Sequence, residues 1–570
     1  MRFLKTSGSS LLEVIVGSAI LLIVFVGFLG VLKMGTKLVY TNKARAGAVA
    51  LANEQMEYIR SLKYDDIGTV GGIPSGNLPQ TESLSLNNIN YIRRTFIKYV
   101  DAPQDGTGDD DENSITADYK QVRVSVSWDN EHPKSVFLLS NFAPAHIESL
   151  AGGGSLVISA FDSKVQPIAG ASVHIENSST TPPIDVETFT NNQGKVIFPG
   201  SPQASSYKIT VTKNGFSTDK TYDATPENQN PNPGHLTVVA GQTTSKDFFI
   251  DKFGSVALYI YKDIKTILWE DLFDNQDKIS SLASTTISSG NIVLDSDYLS
   301  GSVISNLIEP TYPNQWIEAS WQDDTPGNSQ IKYHIYDQDF NLVPETDLPG
   351  NSTGFSTSPL DISSLNVSNY PKLALGAELS RATTTENPQI NLWQIKYKNG
   401  PEPFDGAHFS IHGEKTIGDN NGSPVYKYST SKQVDSNGFF NFDQLEWDKY
   451  HITLNESNWD IAYSCSSLPF QLNPDAQIEE KIYTQEHTTN TLNVLVKNSV
   501  GDIIEGAEVT LSRTGFNESK NSNLCGQTFF NSLQKHNDYV LSVTKSGYSD
   551  YSESNVDVDG QSKTTVILTQ

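Results

Sequence analysis

Hydrophobic and polar positions follow three successive rhythms along this chain. From Val14 to Leu32 there is no charged residue, and Arg2 and Lys5 precede the run. Nineteen helical residues cover roughly 28 Å, close to the hydrocarbon thickness of a bilayer. A secretory signal shares the basic start, but it has a shorter apolar core with a small-residue cleavage site behind it. The run is therefore expected to be retained as a membrane segment. From Lys33 to about Lys63 the pattern turns periodic. Leu38, Val49, Leu51, Ala52, Met56, Ile59 and Leu62 fall on one helical stripe, with Lys43, Arg45, Glu54 and Arg60 elsewhere. No proline lies between Leu11 and Leu62, so the spacing predicts one helix about 78 Å long. Gly68, Gly71, Gly72 and Pro74 then end it.

After residue 90 the period drops to two. Val122, Val124, Val126 and Trp128 alternate with Gln121, Arg123, Ser125 and Ser127, and Ile92 to Val100 and Ser135 to Asn141 flank them as further strands. These predict a small β head over 64–150. Its acidic loop offers Asp105, Asp109 and Asp111 as candidate Ca²⁺ ligands, because hard cations want several carboxylate oxygens. The spacing does not fit an EF-hand, and a solvated charge run is the favoured reading. A Gly-rich linker at 151–154 follows.

The remainder repeats itself. Gly170-Ala171-Ser172-Val173 recurs as Gly506-Ala507-Glu508-Val509, and the turn Asn192-Gln193-Gly194 recurs as Ser436-Asn437-Gly438 and Leu524-Cys525-Gly526. A tyrosine opens a strand twelve or thirteen residues later in each copy, at Tyr207, Tyr450 and Tyr539. Residues 251–400 carry a different spacing, that of a larger antiparallel sandwich of jelly-roll type. Trp269, Trp316, Trp321 and Trp393 are concentrated there and are candidate sugar-stacking residues. Strict alternation would point Trp316 and Trp321 to opposite faces, so at least one of them is expected in the core.

Composition narrows the function. A chain of 570 residues is too long for one core. A net charge of −26 with pI near 4.7 argues against nucleic acid as a partner. Cys465 and Cys525 are the only cysteines, and in an extracellular setting they are expected to form one disulfide joining the last two modules. No catalytic constellation stands out. His408 and His412 lie in a strand pattern rather than on a zinc helix, and Gly350-Asn351-Ser352-Thr353-Gly354 lacks the strand-to-helix setting of a nucleophile elbow. The chain is read as a non-enzyme, with no cofactor expected beyond the candidate Ca²⁺.

Two resemblances organise these observations. The stretch Gly8-Ser9-Ser10-Leu11-Leu12-Glu13-Val14, with its basic leader and apolar helix, resembles the N-terminal segment of type IV prepilins. The resemblance implies peptidase cleavage between Gly8 and Ser9, methylation of the new amine, and a role for Glu13 in pairing with a neighbouring subunit. The repeats resemble carboxypeptidase regulatory-like modules, small prealbumin-type sandwiches that serve as structural or binding units. Residues 251–400 weakly resemble lectin-like modules.

The expected architecture is an α+β pilin-like stem and head followed by tandem all-β sandwiches. Its parts are a leader at 1–8, a helix at 9–63, the head at 64–150, and sandwiches at 155–250, 251–400, 401–484 and 485–570. The expected function is a minor type IV pilin-like subunit presenting a β-modular tail for adhesion. A pilin-anchored carbohydrate-binding adhesin and a pseudopilin of a secretion or DNA-uptake machine are the alternatives. Expected partners are other pilin subunits, the prepilin peptidase, the membrane and surface glycans. The expected location is the cytoplasmic membrane, then a surface fibre.

Overall fold

The computed structural model describes residues 11–102, 118–128, 134–144, 153–466 and 468–570, with backbone alone at 11–15, 17 and 23. It contains one long N-terminal apolar helix followed by β-sandwich-like sheets, so the chain is mostly all-β. Two compact units emerge: Met1–Phe253 with Lys415–Lys427, and Gly254–Glu414 with Tyr428–Gln570.

In the first unit the helix Leu11–Ser61 packs its C-terminal half on a four-stranded antiparallel sheet. The strands Thr81–Leu86, Ile89–Val100, Tyr119–Trp128 and Lys134–Phe142 lie in sequential order. Val122, Val124, Val126 and Trp128 all point to the helix side, as a period of two requires. A sandwich follows. Its strand Gly153–Phe161 lies between Lys195–Pro202, antiparallel, and Thr243–Phe249, parallel. The facing sheet runs Asp219–Lys220, Ala204–Thr212, Ser172–Asn177, Ile184–Phe189. A hairpin from far down the chain, Thr416–Asn420 with Ser423–Tyr426, pairs with Asn230–Pro231 in this same unit.

The second unit holds a correction to the expected domain boundaries. Strand Gly254–Lys262, expected in the 251–400 sandwich, pairs antiparallel with Phe439–Leu445 and parallel with Gln477–Glu486. The C-terminal module has the same plan, with Thr491–Asn498 antiparallel to Gln527–Phe530 and parallel to Gln561–Leu568. Gly254–Lys262 is thus the first strand of the sandwich expected at 401–484, and the two-sheet sandwich spanning 265–399 is inserted behind it. The inserted sandwich has a six-stranded and a four-stranded antiparallel sheet around one core. The insertion separates the first strand of this repeat from the rest of its sandwich.

The three related sandwiches share two local devices. Tyr207, Tyr450 and Tyr539 are buried, and their hydroxyls donate to Pro202 O at 2.6 Å, Glu446 O at 2.8 Å and Gln534 O at 3.0 Å. In the repeated turn the acceptor is a residue just ahead of the motif: Asn191, Asp435 and Asn523 each take two backbone N–H groups on one Oδ1. Gly194, Gly438 and Gly526 close those turns at φ of +72°, +69° and +66°, a region that disfavours a Cβ.

Glu480, in strand Gln477–Glu486, faces inward beside Ile482 and is hydrogen-bonded to the Ser466 hydroxyl. Burial raises its carboxyl from 4.5 to about 8. A folded-state value above the unfolded one means that the folded chain holds the extra proton between pH 4.5 and 8. Stability is therefore fully present below pH 4.5 and falls as pH rises towards 8. Glu480→Gln should remove that slope and stabilise this sandwich at pH 8 by on the order of 3 kcal/mol. Denaturant titrations at pH 5 and pH 8 check this, and an equal slope in both proteins would reject it.

Candidate functional site

The N-terminal helix combines two surfaces. Through Tyr40 its described apolar side chains are exposed on every side, Leu21 by 70 % and Val31 by 72 %. From residue 44 on, one stripe is buried: Ala44, Gly47, Ala48, Leu51, Ala52, Gln55, Met56 and Ile59, at helical spacing. Leu38 and Val49, expected on the stripe, are 62 % and 40 % exposed. The small residues decide the docking face, because they let the sheet approach closely. Tyr91 lies against Gly47, and its hydroxyl donates to Ala44 O at 3.1 Å. By length and composition the helix can cross a membrane, which suggests a membrane anchor or a signal sequence. Of the residues expected to be processed or to steer assembly, Gly8 and Ser9 lie outside the described residues. Glu13 lies within the helix, but its side chain is outside the described part.

The junction of helix and sheet is held by buried cations. Arg93 pairs with Glu82 at 2.8 Å, and Lys120 donates to Tyr64 O and Ile67 O at 2.7 and 2.8 Å. Burial lowers the Lys120 ammonium to about 8 and lowers Lys98 as well. Arg93 is buried and paired, so it offers no open positive charge.

The tryptophan candidates fare differently from expectation. Trp316, Trp321 and Trp393 are core residues. The Trp316 indole donates to Tyr370 O at 2.8 Å, and Trp321 stacks on Tyr333 at 4.0 Å. Trp269 is half-buried against the same core, with Lys278 Nζ 5.9 Å from its ring centre. None of the three core rings can meet a sugar. Asp105, Asp109 and Asp111, the candidate Ca²⁺ ligands, lie outside the described residues. Among the described residues no three His, Cys, Asp or Glu side chains are gathered to hold a metal.

Cys465 and Cys525 are joined in a disulfide, with Cα atoms 4.5 Å apart. It sits at the end of strand Trp459–Ser464, which the C-terminal module clasps along its length. Asp460 accepts His487 at 2.8 Å and Gln561 at 2.6 Å, Asn493 donates to Ala462 O, and Gln527 donates to Ser464 O at 2.6 Å. Only the cysteines were legible in the sequence.

Two arrangements have the look of chemistry. Thr221 Oγ1, His235 and Asp223 form a chain of hydrogen bonds at 3.0 and 2.9 Å. The Thr221 oxygen is buried and also accepts Ile209 N–H, so it is not presented to a substrate. The Gly350–Gly354 loop is a turn whose Gly350 and Ser352 amides both donate to Glu345 at 2.6 Å. Among the described residues no helix follows it, so Ser352 lacks the strand-to-helix setting of a nucleophile elbow.

Arg381, missed by sequence reading, is the best-satisfied cation of the inserted sandwich. It is 7 % exposed, and its guanidinium donates to Tyr298 O, Thr384 O, Glu386 O, Asp295 O and Ser296 O. Five donors meet five carbonyls, which fixes two loops at one end of the domain.

Comparison with known proteins bears on one module. No curated protein matches the chain. Among solved structures it is similar to the TIE protein of Bacillus anthracis, at 12 % identity over 85 % of this chain and 73 % of that one, with a TM-score of 0.16. It is also similar to GBS52, the minor pilin of Streptococcus agalactiae, at 16 % identity over 30 % of this chain and 84 % of that one, with a TM-score of 0.12. For BcpA, the major pilin subunit of Bacillus cereus, identity is 11 % over 73 % of this chain and 99 % of that one, with a TM-score of 0.13. At such scores these likenesses carry no argument. The family model of the carboxypeptidase regulatory-like domain matches residues 158–250, the sandwich whose connectivity recurs twice downstream.

Proposed function

We propose that the chain is a minor subunit of a type IV pilin-like surface fibre that carries a β-modular arm for adhesion. The observation that supports this reading most is the division of one helix into an apolar, exposed first half and a second half docked on a four-stranded sheet. The exposed half would hold the subunit in the cytoplasmic membrane and then pack against helices of other subunits. A lone carboxylate entering an apolar span is costly without a partner, and Glu13 would find it in the terminal amine of a neighbour once the leader is cut after Gly8. The regulatory-like sandwiches would then serve as spacers and binding surfaces. Mass spectrometry of the N-terminus tests the reading, on membranes and on fibres sheared from cells. A terminus at Ser9 in the sheared material is the expected result. An intact Met1 confined to membranes would reject fibre assembly and leave an anchored surface protein.

A further inference from the structure

The third sandwich carries two histidines that the sequence separates and the sheet brings together. His412 in strand His408–Gly413 lies directly opposite His451 in strand Asp448–Leu454. Their rings are parallel with centres 4.9 Å apart, on the outer face of the sheet, away from buried Phe409, Ile411 and Tyr450. Both rings line a cleft of about 420 Å³ whose walls also include Trp459, Asn493, Phe529 and Gln561. The cleft admits an ion with its water.

We propose that His412 and His451 form a bidentate site for a divalent transition metal of the zinc type, with Glu414 as the orienting carboxylate. Imidazole suits Zn²⁺, Cu²⁺ and Ni²⁺, and it ligates in its neutral form. His451 Nε2 lies 3.0 Å from Glu414 Oε1. An ionised carboxylate there holds the proton on Nε2 and leaves the Nδ1 lone pair for a metal, the carboxylate–histidine–metal arrangement. Lys449 Nζ lies 3.1 Å from the same oxygen. One rotation is needed, because two parallel rings cannot both aim a nitrogen at one ion. Turning a partly exposed imidazole about χ2 is a nanosecond event. With two protein ligands, the remaining positions belong to water or to a group from outside the chain. The site differs from a structural zinc cage in this openness.

Calorimetric titration of the full chain in detergent micelles with Zn²⁺ tests the proposal. One ion per chain is expected, with affinity lowered by at least about tenfold in His412→Gln and in His451→Gln. Glu414→Gln keeps both imidazoles and should still weaken binding by about tenfold. Unchanged affinity in the double His412→Gln/His451→Gln variant would overturn the assignment, as would the absence of any saturable Zn²⁺ binding to the unsubstituted chain. Because both rings sit on an outer face, the metal-free melting temperature of these variants should match that of the parent. A variant that melts early is replaced by its asparagine counterpart before affinity is read.

Discussion

Arg381→Met should destabilise the inserted sandwich by about 4 kcal/mol, the scale for stripping one side from a buried, charge-assisted network. The five carbonyls that the guanidinium satisfies come from 295–298 and 384–386, so one substitution frees both loops. Fluorescence in a denaturant titration reads this domain well, because Trp316, Trp321 and Trp393 are all in its core. Arg381→Lys keeps the charge but concentrates its donors on one nitrogen, which cannot span both loops. It should lose roughly half as much. A Met variant within about 1 kcal/mol of the parent would mean that the loops are held by something else.

Replacing Cys465 and Cys525 together by serine should cost about 4 kcal/mol of stability in the C-terminal part of the chain, since the bond spans 60 residues. The native arrangement should survive the loss. Asp460 still holds His487 and Gln561, and Gln527 still reaches Ser464. The effect should therefore appear in the denaturation midpoint and not in the native fluorescence. Titrating the unsubstituted chain with and without a thiol reductant gives the same comparison. Coincident curves would show that the bond constrains nothing.

Much of this organisation was legible wherever one face of an element is buried. The alternation at Val122–Trp128 and the repeated tyrosines declared their strands, because a period of two cannot place a side chain on both faces. The helix was legible in extent, while its docking face was not. Hydrophobic weight pointed to Leu38 and Val49, but Ala44, Gly47 and Ala48 allow the close approach. Trp316 and Trp321 fail strict alternation for a physical reason. A bulge between Trp316 and Glu318 adds one residue to that strand, so rings five positions apart both face inward. The partners of strand Gly254–Lys262 were not legible, because alternation records burial and says nothing about which distant segment completes a sheet. The same limit hid His451 from His412: cross-strand neighbours are set by register. Arg381 gave no local signal, since all its partners are main-chain carbonyls, which every residue has.

The insertion behind Gly254–Lys262 also sets a timetable for synthesis. That strand leaves the ribosome long before its partners at 439–445 and 477–486 exist. At about 5–20 residues per second the delay is roughly ten to forty seconds. Throughout that interval Val256, Leu258 and Ile260, buried in the finished sheet, have no sandwich to enter. A nascent chain with an unpaired apolar strand is open to wrong pairings, including with the same strand of another copy. Biogenesis of this protein therefore calls for something to shield residues 254–262 until the tail of the chain arrives.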